Sequence, residues 1–130
     1  MNILQPPGWP RPKGFACGVA AYGTVVLVSG QIGWDEQGRF TASDIAGQVR
    51  QALRNIVTIL AETGARPEHV ARLTWYVTDK AEYLAAQREI GVAYREVMGR
   101  HFPAMSVVAV AGLLEAEAKV EIEATAILPP

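Results

Sequence analysis

Two carboxylates near the end of the chain are the first residues whose type and spacing could do chemistry. In "KVEIEATA", Glu121 and Glu123 alternate with Val120, Ile122 and Ala124, so a strand would put both glutamates on one face. A solvated face with Lys119 nearby accounts for them, and spacing alone favours that reading. The other reading turns one glutamate into a cleft, where it handles a water as a base. Cys17 is the single cysteine, with no base marked beside it, and is expected to be a small buried core residue. One cysteine forms no intrachain disulfide and no zinc or iron–sulfur cluster. His69 and His101 lie far apart at element edges and read as surface histidines rather than a metal pair. "SGQIGW" lacks GxGxxG spacing and leads into a turn instead of a helix, so it is no nucleotide fingerprint. No metal or cofactor is expected.

"FPAMSVVAV", residues 102–110, raises a second question. It reads as a proline turn and then a strand, with Met105 as its first bulky side chain. Met105 either fills space or lines a binding site.

The chain is 130 residues long, enough for one domain and one core, and residues 1–130 are expected to form a single domain. Half of it is apolar, a slight surplus that a subunit interface could absorb. Net charge is −1, and the basic residues sit near acids, as in Arg95 beside Glu96 and Lys119 near Glu121. No basic stripe follows a phosphate backbone, so nucleic acid is not an expected partner. No stretch approaches the ~18 apolar residues that span a bilayer, and the N-terminus has no apolar signal core. The expectation is a cytoplasmic protein without membrane contact.

These residues need elements to hold them. Residues 1–13 hold the prolines of "QPPGWPRPKG" and read as an extended arm. Strands follow at about 16–22 and 24–32, turning at Gly23, with Gly30 ending the second where backbone comes close to something. "DEQGRF" is a turn. Asp44 opens a helix whose apolar stripe runs through Ile45, Val49, Ala52, Leu53, Ile56, Val57 and Leu60. Gly64 closes it, and Gln48, Arg50, Gln51, Arg54 and Glu62 form its solvent face. Residues 70–79 alternate, with Ala71, Leu73, Trp75 and Val77 on one side. One helix over 81–98, a strand from Met105, a link at 113–118 and a strand to Leu128 complete the order β-β-α-β-α-β-β. Each helix stripe needs a sheet, so both helices cover one face of a mixed sheet. The other face also carries apolar or small residues, which implies oligomerisation.

With "VSGQIGWDEQG", "DIAGQVRQALRNIVTILAETGA", "VARLTWYVTD", "FPAMSVVAVAGL" and "KVEIEATAIL" in that order, the chain resembles the Rid family of reactive enamine/imine deaminases. The family is also called YjgF or L-PSP endoribonuclease-like, and the resemblance runs from about Gly14 to Leu128. It implies a chorismate-mutase-like α+β subunit. It further implies a homotrimer with a central barrel, helices outside and three intersubunit clefts. In the active deaminases an arginine of P-A-R-S grips the carboxylate of a 2-imino acid, and a glutamate on the last strand positions the attacking water. A tyrosine near the N-terminal strand, an asparagine on the second helix and backbone around S-G-Q complete the pocket.

Transferred by residue, the S-G-Q segment is Ser29, Gly30 and Gln31, and the glutamate is Glu121. The tyrosine's place falls on Ala16, with Phe15 beside it, so the hydroxyl is absent. The asparagine's place falls near Gln87. The arginine's place is Met105, followed by Ser106 and Val107. A guanidinium clamp gives two charge-assisted hydrogen bonds of ~1.5–3 kcal/mol each. Its loss is expected to cost on the order of 10²–10⁴-fold on a 2-imino acid. Either the pocket takes a less anionic or more aromatic small molecule, or the cleft is vestigial and Met105 is filler. Arg72 and Arg100 could compensate from a neighbouring subunit, though a surface role is expected of both. Two functions stand: a hydrolase with redirected specificity, and a non-catalytic ligand-binding or regulatory trimer. Ribonuclease or translation-inhibitor activity fits the near-neutral charge poorly.

Overall fold

The long central helix forms where its cap and stripe require it. The computed structural model covers residues 1–130, and helix α1 (Ile45–Ala61) starts with the Asp44 carboxylate accepting from Gly47 N–H at 3.0 Å. Ile45, Val49, Leu53, Ile56 and Leu60 are buried. Gly64 takes φ +82°, so Gly64 N–H reaches Ala61 O and Ala65 N–H reaches Leu60 O, a Schellman closure.

The sheet that receives this stripe has the order β3 (Thr24–Ile32), β6 (Val120–Leu128), β4 (Val70–Val77), β5 (Ala104–Ala109). β6 runs antiparallel to both neighbours, and β4 and β5 are parallel. A parallel pair needs a crossover, here α2 (Lys80–Ala85) and α3 (Gln87–Met98). The result is a mixed α+β fold with all three helices and the core on one side of the sheet. Leu73, Trp75, Val77, Val120, Ile122, Ala124 and Ala126 point into that core. Val25, Leu27, Thr125 and Glu123 lie on the other, open face.

Several expectations change. The single helix over 81–98 divides at Ala86, whose φ of −103° and ψ of 14° leave helical geometry. Only α3 docks, burying Ile90, Ala93, Tyr94 and Met98, whereas α2 buries nothing. The strand over 16–22 shortens to β2 (Gly18–Ala20). It pairs with β1 (Asn2–Leu4) of the arm rather than hairpinning onto β3. Residues 2–4 precede the first proline and keep every amide donor, so they can form a ladder. Gly30 does not end β3; it lies in an irregularity between Val28 and Gln31 through which the strand continues. A second irregularity at Ala71 buries Val70 and leaves Ala71 half-exposed.

Charge pairing also differs from sequence proximity. Glu96 pairs with Arg50 and Arg54 rather than Arg95, and Lys119 pairs with Glu82 rather than Glu121. Gln48 is not on the solvent face but 1% exposed. Its amide donates to Ala42 O and Glu117 O and accepts from Lys119 N–H, tying the helix to the loop before β6. Cys17 is exposed, since it precedes a two-strand ribbon rather than a core strand. His101 is half-buried, its Nε2 2.7 Å from Val70 O.

Candidate functional site

The two ends of the expected site lie on opposite faces of the sheet. Met105 pairs with Leu73 and Val107 with Trp75 on the parallel neighbour β4, so both side chains point to the helix side. Glu121 alternates with the buried Val120 and Ile122 on β6 and points to the open side. A single subunit therefore brings Met105 and Glu121 into no common pocket.

On the helix side, Met105 lines a cavity of about 550 Å³. Phe15, Tyr83, Gln87 and Val107 line it with Met105, and Lys13 and Arg95 stand in its wall. Phe15 is placed there because Ala16 N–H donates to Pro103 O at 3.0 Å, adding the arm to the β5 edge. The break at Ala86 lets Tyr83 from α2 and Gln87 from α3 reach one space. Trp75, Tyr94 and Phe102 build an aromatic column, with successive ring centroids 6.3 and 5.4 Å apart. The Tyr94 hydroxyl donates to His101 O, and burial pushes its phenol far above the ordinary range, so it stays neutral. Tyr94 and His101 thus have structural partners. Trp75 does not: its indole N–H is buried with no acceptor. A buried orphan donor costs about 1–3 kcal/mol.

On the open side, Glu121 rests against Gly30. A Cβ on Gly30 would meet Glu121 Oε2 at 2.5 Å, so only glycine admits the carboxylate there. No salt bridge of the chain engages Glu121. Next to it, Tyr76 donates to Glu123 Oε1 at 2.6 Å, and that bond raises the Tyr76 phenol above its ordinary value. Gln31 Nε2 donates to Ser29 O at 3.0 Å, so the S-G-Q segment is folded on itself. No group of three or more His, Cys, Asp or Glu side chains could hold a metal.

Of the nine residues singled out from the sequence, Phe15, Gln87, Met105 and Val107 share the helix-side cavity, and Gly30 and Glu121 touch on the open side. Ala16 is buried beside Ala104 and also borders a neighbouring depression with Arg100 and His101. Ser106 is exposed on the open face opposite Thr74. Sequence reasoning missed Arg95 and Lys13, which line the cavity. Arg95 had a signal: Gln87, Gly91 and Arg95 recur at every fourth residue and share one face of α3.

Comparisons with known proteins fit this fold. The family model described as Endoribonuclease L-PSP matches residues 12–128. A 2-iminobutanoate/2-iminopropanoate deaminase of Salmonella typhimurium is 32% identical over 108 residues, covering 81% of this chain and 80% of the relative. The crystal structure of YyfB from Yersinia pestis, a protein of unknown function of the conserved Rid protein family, superposes with a TM-score of 0.82. It is 30% identical and covers 98% of both chains. Escherichia coli TdcF with bound serine gives a TM-score of 0.70 at 30% identity, covering 98% of this chain and 99% of that one. No helix is long and apolar enough to cross a membrane.

Proposed function

The chain belongs to the Rid/YjgF family, and on that premise we propose that it hydrolyses a small imine or enamine in clefts built between copies of itself. The observation that carries this reading is the Glu121 carboxylate, held on the bare backbone of Gly30 and left without a salt-bridge partner. Such a group can accept a proton from water as the water oxygen bonds to the C=N carbon. The nitrogen takes up protons and leaves as ammonia, and the carbon keeps the oxygen as a carbonyl. One imine and one water become one carbonyl compound and one ammonia.

The cleft needs more than one copy, because Met105 and Glu121 face opposite sides of the sheet. In a homotrimer with its open sheet faces turned inward, the β5 edge of one subunit, which carries Met105, would meet the open face of the next, which carries Glu121. The open face suits such burial: Val25 and Leu27 are 58% and 75% exposed there. A salmonella relative carries the name of a 2-imino acid deaminase, and a structural neighbour binds an amino acid, serine. Both bear on substrate class: small, with a nitrogen next to a carboxylate. Met105 in place of a cation sets this chain's specificity apart.

A second reading, a trimer that binds a ligand without turnover, draws on that same Met105 and on the missing hydroxyl at Ala16. Ammonia release from imines generated in place, over a panel of amino acids and amines, decides between them. The expected result is release by the parent and loss of about 10²–10⁴-fold in Glu121→Ala. Silence from the parent across the panel sinks the hydrolase reading. A sedimentation mass equal to one 14.0 kDa chain sinks the shared cleft.

A further inference from the structure

We infer that Arg95, with Lys13 in the same cavity wall, supplies the anion contact that Met105 does not, and that the cavity accepts an aromatic ring carrying a carboxylate. The inference deepens the proposed function by naming a ligand class for the same site. It rests on that reading for the reaction but not for the binding.

Arg95 and Met105 line one cavity, so a cation stands in the site beside the thioether at 105. Arg95 also folds toward its own helix face: a Cβ on Gly91 would lie 3.3 Å from Arg95 Nη1, and the glycine leaves room for the guanidinium to lie there. Its charge is uncompensated. The adjacent Glu96 is engaged by Arg50 and Arg54, and none of the ion pairs includes Arg95 or Lys13.

The other arginines are placed differently. Arg72 opens on the far side of the sheet, in a depression shared with Thr74, Glu123 and Thr125. Arg100 lies in the neighbouring depression with Arg11 and His101. Neither lines the Met105 cavity of its own subunit.

The rest of the cavity specifies the ring. Phe15, Tyr83 and Phe102 offer flat apolar walls, and Met105 adds a polarisable thioether suited to an aromatic edge. An arginine at 105 would occupy that space with a solvated charge. Gln87 provides an amide that can meet a polar nitrogen or oxygen.

The test compares two probes of one shape, phenylacetate and its uncharged counterpart phenylacetamide, by titration calorimetry. The parent should bind phenylacetate about 10-fold tighter, the scale of a charge-assisted hydrogen bond. Arg95→Ala should bring the two within about two-fold while phenylacetamide binds as before, and Arg95→Lys should keep most of the preference. Arg100→Ala should leave the preference intact. The inference is overturned if the parent binds neither probe, if it shows no preference, if Arg95→Ala keeps the preference, or if Arg100→Ala removes it. A parent that discriminates the probes but hydrolyses no imine sinks the hydrolase reading alone. A parent that hydrolyses, with an Arg95→Ala preference unchanged, sinks this inference alone.

Discussion

The carboxylate of Glu121 lies on the Cα of Gly30 so closely that a methyl group there would meet Oε2 at 2.5 Å and Cγ at 2.8 Å. The two residues sit on adjacent strands, β6 and β3, at the irregularity between Val28 and Gln31. Gly30→Ala should therefore push the carboxylate aside without emptying any core. Imine hydrolysis should fall toward the level of Glu121→Ala, about 10²-fold or more, while the unfolding midpoint in urea shifts little. Equal activity in parent and Gly30→Ala would show that the position of this carboxylate is immaterial.

Met105 is half-buried, packed against the core and in the wall of the cavity. Met105→Arg should bring a cation to the floor of the space and shrink it. Turnover of small aliphatic 2-imino acids should rise about 10–10²-fold in kcat/KM, through one or two charge-assisted bonds. Aromatic substrates should lose ground, since the longer charged side chain takes their volume. A gain for both classes alike would contradict the volume argument.

Much of the fold was legible and part of the site was not, for identifiable reasons. The α1 stripe, its Asp44 start and its Gly64 closure follow from local spacing, and so does the alternation of β6. The separation of Met105 from Glu121 depends on strand order: it follows only once β5 is parallel to β4 and pairs Met105 with Leu73. Gln48 was assigned to solvent by residue type, yet it sits three residues after Ile45 and four before Ala52, on the buried side of the stripe. Its polarity is met by backbone groups as distant as Glu117 and Lys119, which no local pattern reveals. The break at Ala86 carries no glycine or proline signal and reflects which part of the helix finds α1 to pack on.

Gln48 provides a stability prediction. Its side chain makes three hydrogen bonds, at 3.2, 3.0 and 2.8 Å, from a fully enclosed position. Gln48→Ala leaves the Lys119 N–H and two carbonyls short of a partner and opens space beside Gly33. The expected cost is about 2–4 kcal/mol in urea unfolding. Gln48→Glu should also destabilise, because a carboxylate cannot donate to Ala42 O or Glu117 O. A change within about 0.5 kcal/mol in both would assign the loop before β6 to some other anchor.

The Tyr76–Glu123 bond gives a pH dependence whose sign follows from its chemistry. Tyr76 donates its proton to the Glu123 carboxylate, and that bond, then partial burial and the charges of Glu123 and Glu121, raise the phenol above its unfolded value near 10. A group whose folded pKa is raised stabilises the fold fully below the unfolded pKa, and the contribution fades as pH climbs through the folded one. The parent should therefore exceed Tyr76→Phe in unfolding free energy by a constant margin from pH 7 to about 9, a margin that narrows above about pH 10. Glu123→Gln should remove most of that alkaline slope, since the charge causing the shift is gone. A margin that stays constant up to about pH 11 would mean that Tyr76 titrates alike in the folded and unfolded chain, and that the 2.6 Å contact does not hold its proton.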